Sequence, residues 1–167
     1  MPVREHGIAV RTRLPSFLQP LTFGLVNIDD ATPPEQLPCT VQTFIRPLDR
    51  FPPNFQEQAK ASTRGTISPM QNEHMLLSLL LGTINKYDPD VIVGHDFAGV
   101  SLDVLLHRMR DLKVDHWSTL GRFRRSKWPN IGKQGTNVKF LNGRLLCDLA
   151  SDAARVRFIA SLVQKCR

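Results

Sequence analysis

The sequence predicts an α/β fold in which a mixed β-sheet is flanked by helices. Three short runs of β-branched or alternating apolar residues come first along the 167-residue chain, a pattern typical of antiparallel strands. A helical pattern, a continuous β-branched run, a second helical pattern and a further apolar run follow. Such alternation indicates parallel strands joined by crossover helices.

Three strands are expected in the first third of the chain. Residues 7–12 (GIAVRT) and 21–27 (LTFGLVN) are apolar runs with β-branched members, which favour extended structure. Residues 41–46 alternate apolar and polar side chains, as in a strand with one exposed face. The Asp- and Pro-rich residues 29–34 predict a turn before that strand. Pro47 ends the strand, because proline has no N–H to donate.

A helix is expected to begin at Ser68. Ser68 offers an N-cap, Pro69 suits the first helical position and Gln71 completes the capping pattern. The apolar residues that follow lie on one helical face. They are Met70, Leu77, Leu80, Leu81 and Ile84.

The second half of the chain predicts a βαβ section. Residues 91–93 (VIV) favour a buried strand, residues 101–112 an amphipathic helix and residues 145–149 another strand. A last amphipathic helix is expected over residues 152–165. The ribonuclease H-like fold has this order of elements.

Positive charge is concentrated in one segment. Ten basic and two acidic residues lie between residues 104 and 144, a net charge of +8 against +7 for the whole chain. Such a segment favours a polyanionic partner, of which nucleic acid is the natural candidate. The alternative is a solvated loop without a partner.

The cysteines and the apolar runs exclude several classes of protein. Cys39, Cys147 and Cys166 are an odd number without C-x-x-C spacing, which argues against a disulfide framework and a zinc site. This usage favours a reducing compartment, and Cys147 is interpreted as a small core residue. No apolar run approaches the roughly 20 residues that span a bilayer, so no membrane partner is expected.

Three segments resemble motifs of a known family. Residues 88–95 (DPDVIVGH) resemble the DPD-[IV]-[ILV]-x-GH segment at the second exonuclease motif of family B DNA polymerases. Residues 117–125 (WSTLGRFRR) look like a W-x-x-[LI]-GR-x-[KR]-R stretch typical of the alpha subfamily, and residues 143–148 (GRLLCD) resemble its GR-x-x-CD strand.

The resemblance implies an exonuclease-like domain with a ribonuclease H-like fold over residues 1–155. Residues 156–167 (VRFIASLVQKCR) depart from the family pattern. The sequence therefore predicts a divergent C-terminal tail and a domain that is incomplete at its C-terminus.

The resemblance also implies that the nuclease site is lost. Active relatives hold two metal ions with four acidic residues. Here Ala9 and Arg11 occupy the positions of the D-x-E on the first strand. Ser101 replaces the aspartate of the second motif and is expected to cap the helix that begins there. The sole tyrosine, Tyr87, lies far upstream of the third motif. No catalytic residue, metal or exonuclease activity is therefore expected.

Two groups of residues offer alternative metal ligands. The acidic residues Asp88, Asp90, Asp96 and Asp103 are close in sequence, and His95 with Asp96 forms a possible metal pair. The helix and strand pattern separates the first group, and a lone His-Asp pair more often forms a hydrogen-bonded turn. The palm motifs of family B polymerases do not occur in the chain, so any Mg²⁺ is expected in the polymerase active site of a full enzyme.

The favoured function is a non-catalytic domain that supports DNA and the polymerase core of a nuclear replicative polymerase. DNA, as a primer–template or a single strand, is the expected partner, with primase and accessory subunits reached through the full polymerase. The DNA-contacting residues are expected to be Arg122, Arg124, Arg125, Lys127, Trp128, Lys133 and Lys139.

Several alternatives to this function stay open. Trp117 and Trp128 either pin the basic loop to the domain, or the loop aromatics Phe123, Trp128 and Phe140 stack on bases. The whole chain is alternatively a scaffold for an acidic protein, a residual metal-dependent 3′-5′ exonuclease, or a chain that does not fold stably alone.

Overall fold

A computed structural model describes residues 5–11, 20–28, 31–33, 36–128, 130–132 and 137–151. Within these ranges the chain forms six strands and three α-helices. The strands are β1 Glu5–Arg11, β2 Leu21–Ile28, β3 Cys39–Ile45, β4 Thr66–Pro69, β5 Val91–Gly94 and β6 Leu145–Asp148. The helices are α1 Phe55–Lys60, α2 Glu73–Tyr87 and α3 Leu102–Asp111.

All six strands belong to one mixed sheet in the order β4-β3-β2-β1-β5-β6. The β1–β2 and β2–β3 pairs are antiparallel, whereas β3–β4, β1–β5 and β5–β6 are parallel. The predicted mixed α/β sheet is therefore confirmed. Because β1, β5 and β6 run in the same direction, their last residues meet at one edge of the sheet, where Val10 pairs with Gly94 and Gly94 with Asp148. This edge is called the carboxyl edge below.

The apolar stripes of α2 and α3 form the core together with inward residues of β2, β3 and β5. Fully buried side chains include Leu76 and Leu77 of α2 and Leu106 and Met109 of α3. Each such side chain stabilises the fold by roughly 1.5–3 kcal/mol relative to an exposed one. The predicted apolar faces of both helices thus pack in the core, except that Met70, predicted on the first face, lies before the first residue of α2.

One buried ion pair ties the two helices together. Glu73, at the start of α2, is 5% exposed and accepts from Arg108 Nε at 2.8 Å and Nη2 at 2.6 Å. Arg46, just after β3, lies 3.7 Å from the same carboxylate. The hydrogen bonds to Glu73 outweigh burial and raise the pKa of Arg108. The buried carboxylate is therefore fully paired, as burial of a charge requires.

The predicted start of the first long helix is wrong. Ser68 and Pro69 lie in β4, which pairs with β3 at the edge of the sheet. Pro69 is tolerated as the last residue of an edge strand, where its missing N–H costs no ladder bond. The helix begins four residues later than predicted, because the Asn72 side chain accepts from the Met75 backbone N–H at 2.8 Å and caps it.

The expected capping role of Ser101 is also wrong. A π-helical turn, Phe97–Ser101, precedes α3, so the chain is already helical when it reaches Ser101. Ser101 has φ −64° and ψ −43° and makes no side-chain cap hydrogen bond. A cap needs an extended backbone before the helix, and the turn removes that condition.

Cys147 is exposed rather than part of the core, contrary to the sequence interpretation. It lies in β6, at the edge of the sheet, where no strand among the described residues pairs with it on one side. The predicted helix at 152–165 and the divergent tail at 156–167 lie outside the described residues, as do Asp29, Asp30 and Pro34 of the predicted turn at 29–34. Among the helices that the structure describes, none has the length and apolarity to cross a bilayer.

Candidate nucleic-acid interface

The carboxyl edge contains the three positions at which the nuclease ligands are expected to be lost. Ala9, in β1, pairs with Val93 of β5, and Arg11 is the last residue of the same strand. The chain leaves β5 at Gly94 and enters the π-helical turn that ends at Ser101. Ser101 is 6% exposed. The topology therefore brings β1 and the Ser101 turn to one end of the sheet.

A carboxylate at this edge is already committed to the backbone. Asp148 accepts from the backbone N–H groups of Asp96 at 2.8 Å, Ala98 at 2.9 Å and Ala150 at 3.0 Å. Burial alone would raise the pKa of Asp148, but hydrogen bonds from Ala98, Ala150, Asp96 and Phe97 outweigh it and lower that pKa. Asp148 thus holds the turn after β5 in place.

A second carboxylate of the region is paired as well. Asp103 accepts from the Asn137 side-chain amide at 2.9 Å and lies 3.4 Å from His107 Nδ1. No group of three or more His, Cys, Asp or Glu side chains in the described part of the chain is placed to hold a metal ion. The His95–Asp96 pair therefore has no third metal ligand among the described residues. This donor set does not fit the two-metal site of a nuclease.

The basic segment is anchored by an arginine–aspartate knot, formed by Asp88, Asp90, Arg122 and Arg144. Arg122 donates through Nε to Asp88 Oδ1 at 3.1 Å and through Nη2 to Asp90 Oδ1 at 2.5 Å. Arg144 donates to the same Asp88 oxygen at 2.8 Å. Hydrogen bonding from Arg122 lowers the pKa of Asp88 against the opposing effect of burial. The knot joins the start of β5 to both ends of the segment between residues 122 and 144.

Arg144 is the buried member of the knot. Its side chain is 2% exposed and donates to the backbone carbonyls of Pro89 at 2.5 Å and Leu120 at 3.1 Å. Burial lowers the pKa of Arg144, while Asp88 opposes that shift. The arginine remains cationic even with its pKa lowered, so the buried charge needs these partners.

Two glycines allow the chain segments on either side of the knot to lie close together. Gly143 has φ +90°, and a Cβ on it would lie 2.7 Å from Cβ of Arg122. A Cβ on Gly121 would lie 2.5 Å from the Phe140 carbonyl oxygen. Both Gly-Arg pairs of the sequence motifs therefore have a structural reason: the glycine admits the close approach that the arginine bonds require.

An aromatic cluster anchors the basic segment between these ends, at Trp128. Trp117 and Trp128 stack with their ring centroids 4.2 Å apart. Phe140 packs against both, with centroids 5.6 Å from Trp117 and 5.7 Å from Trp128. Phe123, in contrast, is 64% exposed. Contact of Trp128 with a nucleic-acid base stays a prediction, while its stacking on Trp117 is observed.

The remaining predicted DNA-contacting residues are mostly on the surface. Arg124, Lys127 and Lys139 are exposed, and Arg125 is half-buried. With the Asn142 amide oriented to satisfy both its neighbours, its oxygen accepts from Arg125 Nη2 at 2.8 Å. Lys133 lies outside the described residues. The structure thus places Arg122 in the knot and Trp128 in the aromatic cluster, with exposed cations between them.

Comparison with known proteins identifies the family. Residues 26–161 match the family model of the exonuclease domain of DNA polymerase family B. The chain belongs to this family. It is 33% identical over 151 residues to a DNA polymerase alpha catalytic subunit of Saccharomyces cerevisiae, and the matched region covers 85% of the chain and 10% of that protein.

Other members of the family give the same result. The DNA polymerase alpha catalytic subunit of Xenopus laevis is 40% identical over 105 residues, covering 62% of the chain and 7% of that protein. The mouse (Mus musculus) subunit is 33% identical over 130 residues, covering 75% of the chain and 9% of that protein. The chain therefore spans a tenth or less of the length of these relatives.

Sequence reasoning recognised the knot residues as motifs but not as partners of one another. The DPD and two Gly-Arg motifs contain opposite charges, and each arginine follows a glycine. That combination is a signal for a close, charged contact. The role of Asp148 was missed because its partners are backbone groups about 50 residues away, and local sequence carries no mark of them.

Proposed function

We propose that this chain is a non-catalytic, DNA-binding domain of a nuclear replicative DNA polymerase of the alpha type, with a ribonuclease H-like fold. One observation carries the proposal. The segment from Arg122 to Trp128 is held at one end by the knot and at the other by the aromatic cluster. Arg124 and Lys127 are exposed between these anchors. Because the backbone is already ordered, these cations lose little entropy when they meet phosphates.

Charge and aromatic exposure support nucleic acid as the partner. The segment contains Arg124, Arg125 and Lys127 within four positions, and the exposed Phe123 precedes them. Cations that track a backbone beside an aromatic ring are the pattern of single-strand binding. If the basic face instead met an acidic protein, DNA affinity would be absent at moderate salt.

The side chains at the carboxyl edge support loss of cleavage. Ser101 stands at a ligand position, and Asp148 is occupied by backbone donors. Hard divalent ions need several converging oxygen ligands, and the sequence has Ala9 and Arg11 where relatives have carboxylates. The proposal therefore assigns neither a metal nor a catalytic residue to this chain.

The wider role rests on the relatives. They are catalytic subunits of DNA polymerase alpha, and we infer that this chain acts within such a polymerase in DNA replication. Primase, accessory subunits and the Mg²⁺ of a polymerase active site would then belong to the full enzyme.

A pair of charge-reversal variants tests DNA binding. The double change R124E/K127E removes two exposed cations from the anchored segment, whereas K60E/R64E makes the same change in net charge at exposed positions near α1 and β4. Anisotropy of labelled single-stranded DNA is measured over a salt series. We expect about a tenfold or larger loss of affinity for R124E/K127E and a salt slope smaller by about 1.4 in magnitude, since each phosphate contact contributes about 0.7.

The control variant separates local contact from overall charge. K60E/R64E is expected to bind within about threefold of the unaltered chain, because the change lies away from the segment. Equal losses in the two variants would mean that only net charge matters. Unchanged binding by R124E/K127E would contradict the proposed contact.

A further inference from the structure

A cleft of about 910 Å³ opens between α2 and the basic segment. One wall is formed by α2, the second by residues 115–119 and the third by residues 124–126. We call it the α2 cleft. Its volume is within the range of clefts that bind small ligands. None of the described residues that line it belongs to the carboxyl edge, so the cleft is separate from that edge.

The chemistry of the α2 cleft suits a phosphodiester. Arg124 and Arg125 line one side and Asp115 the other, with Ser118, Thr119 and Ser126 around them. The Thr119 hydroxyl donates to the His116 carbonyl at 2.8 Å, so the cleft keeps a net charge of +1 and the hydroxyls of Ser118 and Ser126. Arg124 makes no ion pair or hydrogen bond with any other residue that the structure describes, so its guanidinium donors are available to a ligand. Guanidinium forks and hydroxyls together are typical phosphate-binding groups.

The α2 wall keeps the cleft open. Gly82 lines it in the middle of the helix, and a Cβ on Gly82 would have no heavy atom within 4 Å. Glycine destabilises a helix interior relative to alanine, and no neighbour among the described residues requires its absence of a side chain. Gly82 also lines a smaller cleft of about 350 Å³ with Gln42 and Tyr87, so the glycine leaves open space at the part of α2 that both clefts share.

We propose that the α2 cleft holds a phosphodiester of single-stranded DNA, an inference that rests on the DNA-binding function proposed above. Phe123 and Lys127, both exposed, flank the arginines along the chain, which offers a stacking surface and a further phosphate contact to adjacent nucleotides. An acidic peptide would use the cations but not the exposed aromatic ring.

Filling the cleft without changing its charge tests the inference. Gly82→Leu places a side chain in the free volume, and Gly82→Ala is the matched control that improves the helix without filling the space. We expect Gly82→Leu to lower the affinity for labelled single-stranded DNA by about tenfold, and Gly82→Ala to bind as the unaltered chain does. Thermal unfolding of both variants shows whether α2 is intact.

A second pair of variants keeps the test decisive if Gly82→Leu does not fold. Asn85→Asp adds a negative charge to the α2 wall at nearly constant volume, while Asn27→Asp adds it at an exposed position of β2. Only Asn85→Asp is expected to weaken single-strand binding, by about fivefold to tenfold. Equal binding by the two Asp variants would overturn the cleft as the site.

The outcomes distinguish this inference from the function on which it rests. If the unaltered chain does not bind single-stranded DNA, the proposed function itself fails. If it binds and neither Gly82→Leu nor Asn85→Asp weakens binding, DNA contacts another surface and only the cleft assignment is overturned. A poly-glutamate peptide that loses affinity in the cleft variants, while DNA does not, would assign the cleft to an acidic protein instead.

Discussion

At the scale of single residues, Asp148 joins the parallel strands β5 and β6 at the carboxyl edge. Its carboxylate accepts backbone N–H groups at the start of the turn that follows β5 and one just after β6. Helix and turn starts leave such donors without partners in the backbone itself. The side chain therefore acts as a cap supplied by a neighbouring strand rather than by the turn.

Replacing Asp148 with Asn is expected to destabilise the fold near neutral pH by about 1–2 kcal/mol, because bonds to a charged acceptor are lost. The folded pKa of Asp148 is below the usual 3.8, so its charge contributes full stability above that value. The contribution is lost as pH falls through the lower folded pKa. Urea unfolding near neutral pH and again below pH 3.8 gives the free energy of unfolding of Asp148→Asn and of the unaltered chain. We expect the difference between the two to shrink at the lower pH.

The control for this prediction is Asp49→Asn, which changes an exposed carboxylate. Asp49 has no hydrogen bond or ion pair with another residue of the described ranges. Its replacement is expected to change the free energy of unfolding by less than about 0.5 kcal/mol at either pH. A pH-independent loss in Asp148→Asn would show that shape rather than charge holds the turn.

Gly143 is the second residue with a specific role. Its φ of +90° disfavours an L side chain, and an added Cβ would lie 2.7 Å from Cβ of Arg122. Gly143→Ala is expected to lower the free energy of unfolding by about 2–3 kcal/mol. Gly132→Ala is the comparison, since Gly132 has φ +116° but open space around the added Cβ. Equal losses, measured by urea unfolding, would leave backbone strain as the only cost.

At the scale of elements, the start of α2 shows how two equivalent local signals are resolved. Ser68 and Asn72 are both cap-forming residues, but Ser68 belongs to β4 and pairs with Phe44 of β3. The strand takes Ser68 out of reach of the helix, and Asn72 then caps it. Pairing with a distant strand outweighs the local capping preference.

Asn72→Ala is expected to destabilise the domain by about 1 kcal/mol, the usual cost of losing a side-chain cap. Ser68→Ala is expected to change stability by less than about 0.5 kcal/mol, because Ser68 caps no helix. Midpoints of thermal or urea unfolding of the two variants provide the comparison. The opposite ranking would restore Ser68 as the cap.

The elements that could be predicted have a clear period or composition. The strands β1, β2, β3, β5 and β6 begin and end within two residues of their predicted bounds, because β-branched runs mark them strongly. The four-residue β4 and the six-residue α1 were not predicted. Elements this short contain too few residues for a period to appear. The π-helical turn was also missed, since it depends on Asp148 from another strand.

At the scale of the whole molecule, the arginine–aspartate knot fastens the basic segment to the sheet. Its contacts join residues 34 and 56 positions apart in the chain. Such pairs follow from the tertiary fold, so the charged motifs are visible in the sequence but their pairing is not. For the same reason the α2 cleft, which combines three separate stretches of chain, had no signal in the sequence beyond its positive charge.

Arg144→Leu is expected to destabilise the domain by about 2–3 kcal/mol. The change removes the guanidinium that donates to Asp88 and to the carbonyl oxygens of Pro89 and Leu120. Buried polar groups that lose their hydrogen-bond partner lower the free energy of unfolding. Arg124→Leu is the matched control, because Arg124 is exposed and its loss should cost less than about 0.5 kcal/mol. Urea unfolding measures the free energy of unfolding of both variants. Equal losses in the two would contradict the role of the knot.

The central claim is that this domain binds DNA without cutting it. The most direct test follows the anisotropy of end-labelled single-stranded DNA over time with the purified chain in Mg²⁺ or Mn²⁺, with the DNA length checked on a denaturing gel and EDTA as the control. We expect a rise that stays constant in time and falls with added salt, with the strand at its full length. A metal-dependent decay of the signal together with a shortened 3′ end would contradict the claim.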